Sequence, residues 1–148
     1  MEHIFVAGAY FATDKNDTDI YPFITEVLKE KYPNLKSVMP TDIDEYRENY
    51  IKENPNAPTH QINKAMVNFD IKQVKTAKMI IADVSNKSTG LGIELGSILD
   101  ANKHLFFVAR EGCQISNMVY GAFPHVKINY YKNRDDLNNI LLKKLPAI

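Results

Sequence analysis

The chain has 148 residues, 45% of them hydrophobic and 24% charged, enough to bury roughly 70% of its unfolded surface in a core without staples, which excludes intrinsic disorder. Eighteen basic residues balance eighteen acidic ones, so the electrostatic signature of a nucleic-acid polymer binder is missing. Cys113 is the one cysteine, which excludes an internal disulfide and, without a His or Cys cluster, argues against a zinc site.

In chain order, Ile4-Phe5-Val6-Ala7 reads as a buried strand that ends at Gly8. From Ile20 to about Lys31, apolar Phe23, Ile24, Val27 and Leu28 fall at helical spacing, and Pro33 stops the pattern. Ser37-Val38-Met39 is a short second strand closed by Pro40. Residues 41–58 are polar and proline-punctuated, with Tyr46 and Tyr50 among them, and read as a long surface excursion. Excursions of that length are functional lids or disordered. A helix follows from about Thr59 to Thr76, with Ile62, Ala65, Met66 and Phe69 on one face.

Met79-Ile80-Ile81-Ala82 is an apolar run of the kind found in a central parallel strand. After Ser88-Thr89-Gly90-Leu91-Gly92 a helix is predicted to about Asn102, then a strand at Leu105-Phe106-Phe107-Val108. The last strand spans Val126 to Tyr131, and Leu137, Ile140, Leu141 and Leu145 stripe a closing helix. This alternation predicts an α/β fold, a doubly wound, flavodoxin- or Rossmann-like sheet of five parallel strands flanked by helices, in one domain over residues 1–148. No run reaches the ~18 apolar residues of a membrane span. Met1-Glu2-His3 carries no basic leader, so a cytoplasmic protein without membrane partners is expected.

In such sheets ligands bind at the carboxyl ends of the strands. The turn Ala7-Gly8-Ala9-Tyr10-Phe11 lacks the three-glycine dinucleotide spacing, and no GxxxxGK[ST] loop occurs. Nicotinamide and Walker-type ATP chemistry are therefore disfavoured. The most informative segment is Ser88-Thr89-Gly90-Leu91-Gly92-Ile93-Glu94-Leu95-Gly96. Gly90 and Gly92 would let the backbone approach a ligand. Glu94 is expected in the first helical turn, where the helix dipole favours an ionised carboxylate by ~0.3–1 kcal/mol. Such a carboxylate suits a nucleophile toward an oxocarbenium-like centre, or merely a helix cap. Asp70 borders the buried stripe of its helix between Met66 and Val74, placed either as a general acid or as a solvated edge residue. Tyr10 and Phe11 could sandwich a planar base or simply pack. Asp83 ends the third strand, where it could bond a ligand or its own loop.

Together these residues resemble the nucleoside 2-deoxyribosyltransferase family along nearly the whole chain. Gly90-Leu91-Gly92-Ile93-Glu94-Leu95-Gly96 is similar to the family's G-x-G-x-E-x-G context for its catalytic glutamate, and Asn68-Phe69-Asp70-Ile71 to the segment bearing its catalytic aspartate. Ile115-Ser116-Asn117-Met118-Val119-Tyr120-Gly121 resembles the segment that one subunit inserts into its neighbour's site. The resemblance implies retaining cleavage of an N-glycosidic bond through a deoxyribosyl ester of Glu94, with Asp70 assisting the departing base. It implies no metal or organic cofactor, and a homo-oligomer, dimer or larger, with shared sites. Gly8, Tyr10, Phe11, Asp83, Ser88, Gly90, Gly92, Ser116, Asn117 and Met118 would bind substrate.

Two branches of that family compete. Transferases exchange free nucleobases on 2′-deoxynucleosides, and Tyr10-Phe11 with residues 41–58 look like that branch. Ser88 stands where those transferases use a base-contacting aspartate, and Ser116 where they use an asparagine on the 5′-hydroxyl. Serines at both positions resemble the N-hydrolases of 2′-deoxynucleoside 5′-monophosphates, although Phe11 replaces an arginine of that branch. Phe5 replaces a tyrosine common to both. The primary expectation is the transferase, the alternative the hydrolase. A nucleotide-binding module and a flavodoxin-like flavin carrier are non-catalytic readings.

Overall fold

The computed structural model describes residues 1–8 and 20–148. Strand β1 (His3–Ala7) is followed by α1 (Ile20–Lys31), β2 (Lys36–Val38), α2 (Pro40–Glu53) and α3 (Thr59–Thr76). Then come β3 (Met79–Asp83), α4 (Thr89–Gly96), β4 (His104–Arg110), α5 (Asn117–Ala122), β5 (Ile128–Tyr131) and α6 (Arg134–Lys144). The strands form one parallel sheet in the order β2-β1-β3-β4-β5, the flavodoxin-like arrangement. The expected α/β class and strand count are therefore correct.

Both faces of the sheet are covered, which explains why β1 and β3 read as unbroken apolar runs. Ile4, Val6 and Ile81 point to a core closed by Ile24, Val27 and Leu28 of α1 and Leu137, Ile140 and Leu141 of α6. Phe5, Ile80, Ala82 and Phe107 point the other way, against Val74 of α3, Leu91 and Leu95 of α4, and Phe123 after α5. Alternate strand residues thus serve opposite layers. Among the described residues no helix is long and apolar enough to cross a membrane.

Two expectations need correction. Residues 41–58 are not a structureless excursion, because Pro40 to Glu53 form α2. Pro40 occupies the first turn, where its missing N–H costs nothing, and Asp42 Oδ2 accepts the Met39 N–H at 2.7 Å. Ile43, Tyr46 and Tyr50 lie at helical spacing, and the Tyr46 ring stacks on Phe69 of α3 with centroids 4.1 Å apart. The helix after Ser88 is also shorter than predicted. It ends at Gly96, where the Ser97 hydroxyl donates to the Glu94 carbonyl at 2.7 Å and i→i+3 bonds at Ile98 and Ala101 turn the chain away.

Candidate active site

The strand order reverses between β1 and β3, so their carboxyl ends frame the crevice where such sheets bind ligands. Gly8 and Asp83 stand there, packed on each other. Gly8 has φ +149°, a left-handed conformation, and a Cβ on it would lie 2.8 Å from Asp83 Cβ. Asp83 is wholly buried. Its Oδ1 accepts the Ser85 N–H at 2.8 Å and its Oδ2 the Tyr131 hydroxyl at 2.6 Å. Ser85 Oγ in turn accepts the Arg110 N–H at 2.7 Å. Burial raises the Asp83 carboxyl above the usual range, and these bonds partly offset the rise. Both oxygens of Asp83 are thus engaged within the chain and none of it is exposed. It is a strut joining the exits of β1, β3, β4 and β5.

Asp70 on α3 and Glu94 on α4 meet side chain to side chain in hydrogen-bonding contact. Both are half-buried, and Asp70 Oδ1 is a buried atom without a hydrogen-bond partner among the described residues. Glu94 is the sixth residue of α4, which begins at Thr89. It therefore lies beyond the first turn, and the expected dipole stabilisation of its charge does not reach it. Burial and then the neighbouring Asp70 carboxyl push Glu94 up to about 8. Burial raises Asp70 as well, with the Glu94 hydrogen bond opposing. The expectation of an ionised Glu94 is thus opposed by its surroundings: burial and the Asp70 carboxyl both favour its protonated form. Phe5, 1% exposed in the core beneath this layer, has no hydroxyl with which to oppose the rise.

A second group of predicted residues lines a cavity of about 470 Å³ between α4 and α5. Ser88, Gly92, Ser116 and Met118 are in its wall, together with Lys87 and Thr89. Ser88 caps α4 by accepting the Leu91 N–H at 3.3 Å, and Ser116 caps α5 by accepting the Met118 N–H at 3.3 Å. Each hydroxyl acts as acceptor there, so its own proton remains for another partner. A Cβ at Gly92 would meet nothing within 4 Å, so the chain's own packing does not demand glycine there. Glu94 and Asp70 do not line this cavity, and neither do Gly90 nor Asn117, which is exposed at the start of α5. Lys87 is the functional candidate that sequence reasoning missed. Its one signal in the sequence is adjacency to Ser88. Tyr10 and Phe11 lie outside the described residues.

No protein-family model matches the chain. A 5-hydroxymethyl-dUMP N-hydrolase of Danio rerio is 32% identical over 83 residues, which cover 53% of this chain and 57% of the relative. The chain therefore spans little more than half the length of that curated relative. The solved structure of a Clostridium botulinum CMP N-glycosidase superposes with a TM-score of 0.58 at 17% identity, covering 93% of this chain and 96% of that one. At such identity the superposition shows a shared fold.

Proposed function

We propose that this chain is an N-glycosidase that hydrolyses 2′-deoxynucleoside 5′-monophosphates to free base and deoxyribose 5-phosphate, a reading supported by the similarity to an N-hydrolase over part of the chain and by the fold shared with an N-glycosidase. The observation that carries the reading is the half-buried Asp70–Glu94 pair, two carboxyls in side-chain contact whose burial favours a shared proton. Passing that proton across the shared hydrogen bond to Asp70 ionises Glu94 and arms Asp70 in a single move. Glu94 then attacks C1′ as the C1′–N bond breaks, and the bond's electron pair goes to the base nitrogen, which takes the Asp70 proton. Water attacks C1′ of the resulting ester and gives its proton to Asp70, while the Glu94 carboxylate departs. Two easier steps replace one difficult displacement, and passage of the proton back from Asp70 to Glu94 returns both carboxyls to their starting state.

Hydrolysis of monophosphates is preferred to base transfer between free nucleosides, the primary expectation from sequence. The curated relative is named for hydrolysis of a monophosphate. Lys87 and Ser88 line one cavity, and a cation beside a hydroxyl donor suits a phosphate. Each charge-assisted bond is worth ~1.5–3 kcal/mol. We also infer a homo-oligomer in which residues 116–121 of one copy complete the site of the next.

Base release from matched deoxynucleosides and monophosphates, with and without a second free base, tests the reading. The expected result is release from the monophosphate, insensitive to added base, and a loss of at least ~10³-fold in Glu94→Gln. Formation of a new nucleoside would restore the transferase, and near-normal turnover of Glu94→Gln would end the mechanism.

A further inference from the structure

Helix α3 carries Asp70 but is lightly seated on the sheet: Val74 is the one residue of its eighteen that is fully buried. Val74 lies one turn beyond Asp70, so the N-terminal side of the carboxyl needs a second support. Helix α2 provides it. Tyr46 lies flat on Phe69, the residue before Asp70, with ring centroids 4.1 Å apart and planes within 6°. Tyr50 tilts toward Tyr46 at 6.4 Å and accepts a hydrogen bond from Gln61 Nε2 on α3 at 2.9 Å. No residue of α2 is fully buried, and half-buried Ile43 is its contact with the core on this face. Asp70 Oδ1 lacks a donor among the described residues, so the placement of α3, rather than a cage of hydrogen bonds, aims the carboxyl.

From these contacts we infer that Tyr46 is a positioning residue: stacked on Phe69, it fixes the rotation of α3 and with it the angle at which the Asp70 carboxyl meets Glu94. Turning a helix by about 10° moves a carboxyl some ~6 Å from its axis by roughly 1 Å. A misplacement of that size costs up to ~10²-fold in rate. Residues 40–53 thereby act as a buttress for the acid rather than as a lid. The inference rests on the proposed role of Asp70 as the acid that protonates the departing base.

The test compares Tyr46→Ala, Tyr46→Leu and Tyr46→Phe on two substrates, deoxyguanosine monophosphate and its N7-methylated form. The methylated base leaves as a neutral molecule without needing a proton. Tyr46→Ala and Tyr46→Leu should lower kcat on the ordinary substrate by ten- to a hundredfold, with KM within twofold. Single-turnover base release from the methylated substrate, which precedes the water step that also uses Asp70, should stay within twofold of normal, and Tyr46→Phe should restore both. Equal losses on both substrates, or no loss on either, overturn the inference. A second readout is independent of turnover: side-chain NMR titration should show the Glu94 midpoint falling in Tyr46→Ala and unchanged in Tyr46→Phe. An unmoved midpoint in Tyr46→Ala also overturns it. Asp70→Asn on the same two substrates separates the premises. If it fails to discriminate between them, the acid role of Asp70 falls, and the titration still decides Tyr46.

Discussion

Glu94 and Asp70 govern stability as well as turnover, because a carboxyl that prefers its proton in the folded state makes folding depend on pH. Glu94 rises from 4.5 to about 8 on folding, through burial first and the Asp70 carboxyl second. Asp70 shifts in the same direction. Between the two values the folded chain binds more protons than the unfolded chain, so stability falls as pH rises. The favourable contribution is complete below the unfolded value and is lost as pH climbs through about 8. Its slope cannot exceed ~1.4 kcal/mol per pH unit for each proton. Urea unfolding should therefore show a declining free energy from pH 5 to pH 8. Glu94→Gln, which resembles the protonated side chain, should flatten that decline and be more stable than the natural chain at pH 8. A decline that persists unchanged in Glu94→Gln would assign it to other groups. The same substitution removes the proposed nucleophile, so this site gives up stability at neutral pH for chemistry.

Among the elements, β1, β3 and α6 are legible in the sequence because their apolar residues recur with one period and bury in one way. The position of Asp70 is legible too, since it sits in a helix whose neighbours fix its place, whereas Glu94 falls a turn later in its helix than its glycine context suggests. Helix α2 is not, for a physical reason: its residues are half-buried at most. What stabilises it is a neighbour's ring and a cap, and local hydrophobic pattern records neither. For the same reason the roles within the site escape a sequence reading. The proton affinity of Glu94 depends on Asp70 in another helix, and the occupation of Asp83 depends on Tyr131 at the far end of the chain. The cap of α2 makes a prediction of its own. Asp42→Ala removes the acceptor of the Met39 N–H and should cost about 1 kcal/mol. Because α2 buries nothing fully, the loss should appear as faster amide exchange over residues 40–53, with little change in global melting. A global destabilisation without local exchange would show that α2 folds as part of the core instead.

At the level of the whole molecule, α4 separates two groups of residues that the proposed chemistry needs together. Glu94 meets Asp70 of α3, whereas Ser116 and Met118 belong to the cavity between α4 and α5. Met118 is 79% exposed and Leu99 52%, so an apolar rim surrounds that cavity in a single copy. Exposed apolar rims of this kind mark interfaces, and the proposed sharing of sites places a second copy over this one, with the Ser116 of each chain serving the Glu94 site of the other. In a two-fold dimer both sites would then be composite. The prediction follows from counting. Each of Glu94→Gln and Ser116→Ala alone should be strongly impaired. In a hybrid dimer one site carries both substitutions and the other carries neither. Random exchange makes about half the dimers hybrid, so an unfolded-and-refolded equimolar mixture should recover up to about a quarter of normal turnover. Recovery should require exchange and be absent when the two variants are mixed after assembly. If the mixture never exceeds the mean of its two components, each chain holds a complete site, and Ser116 must act on substrate bound within its own copy.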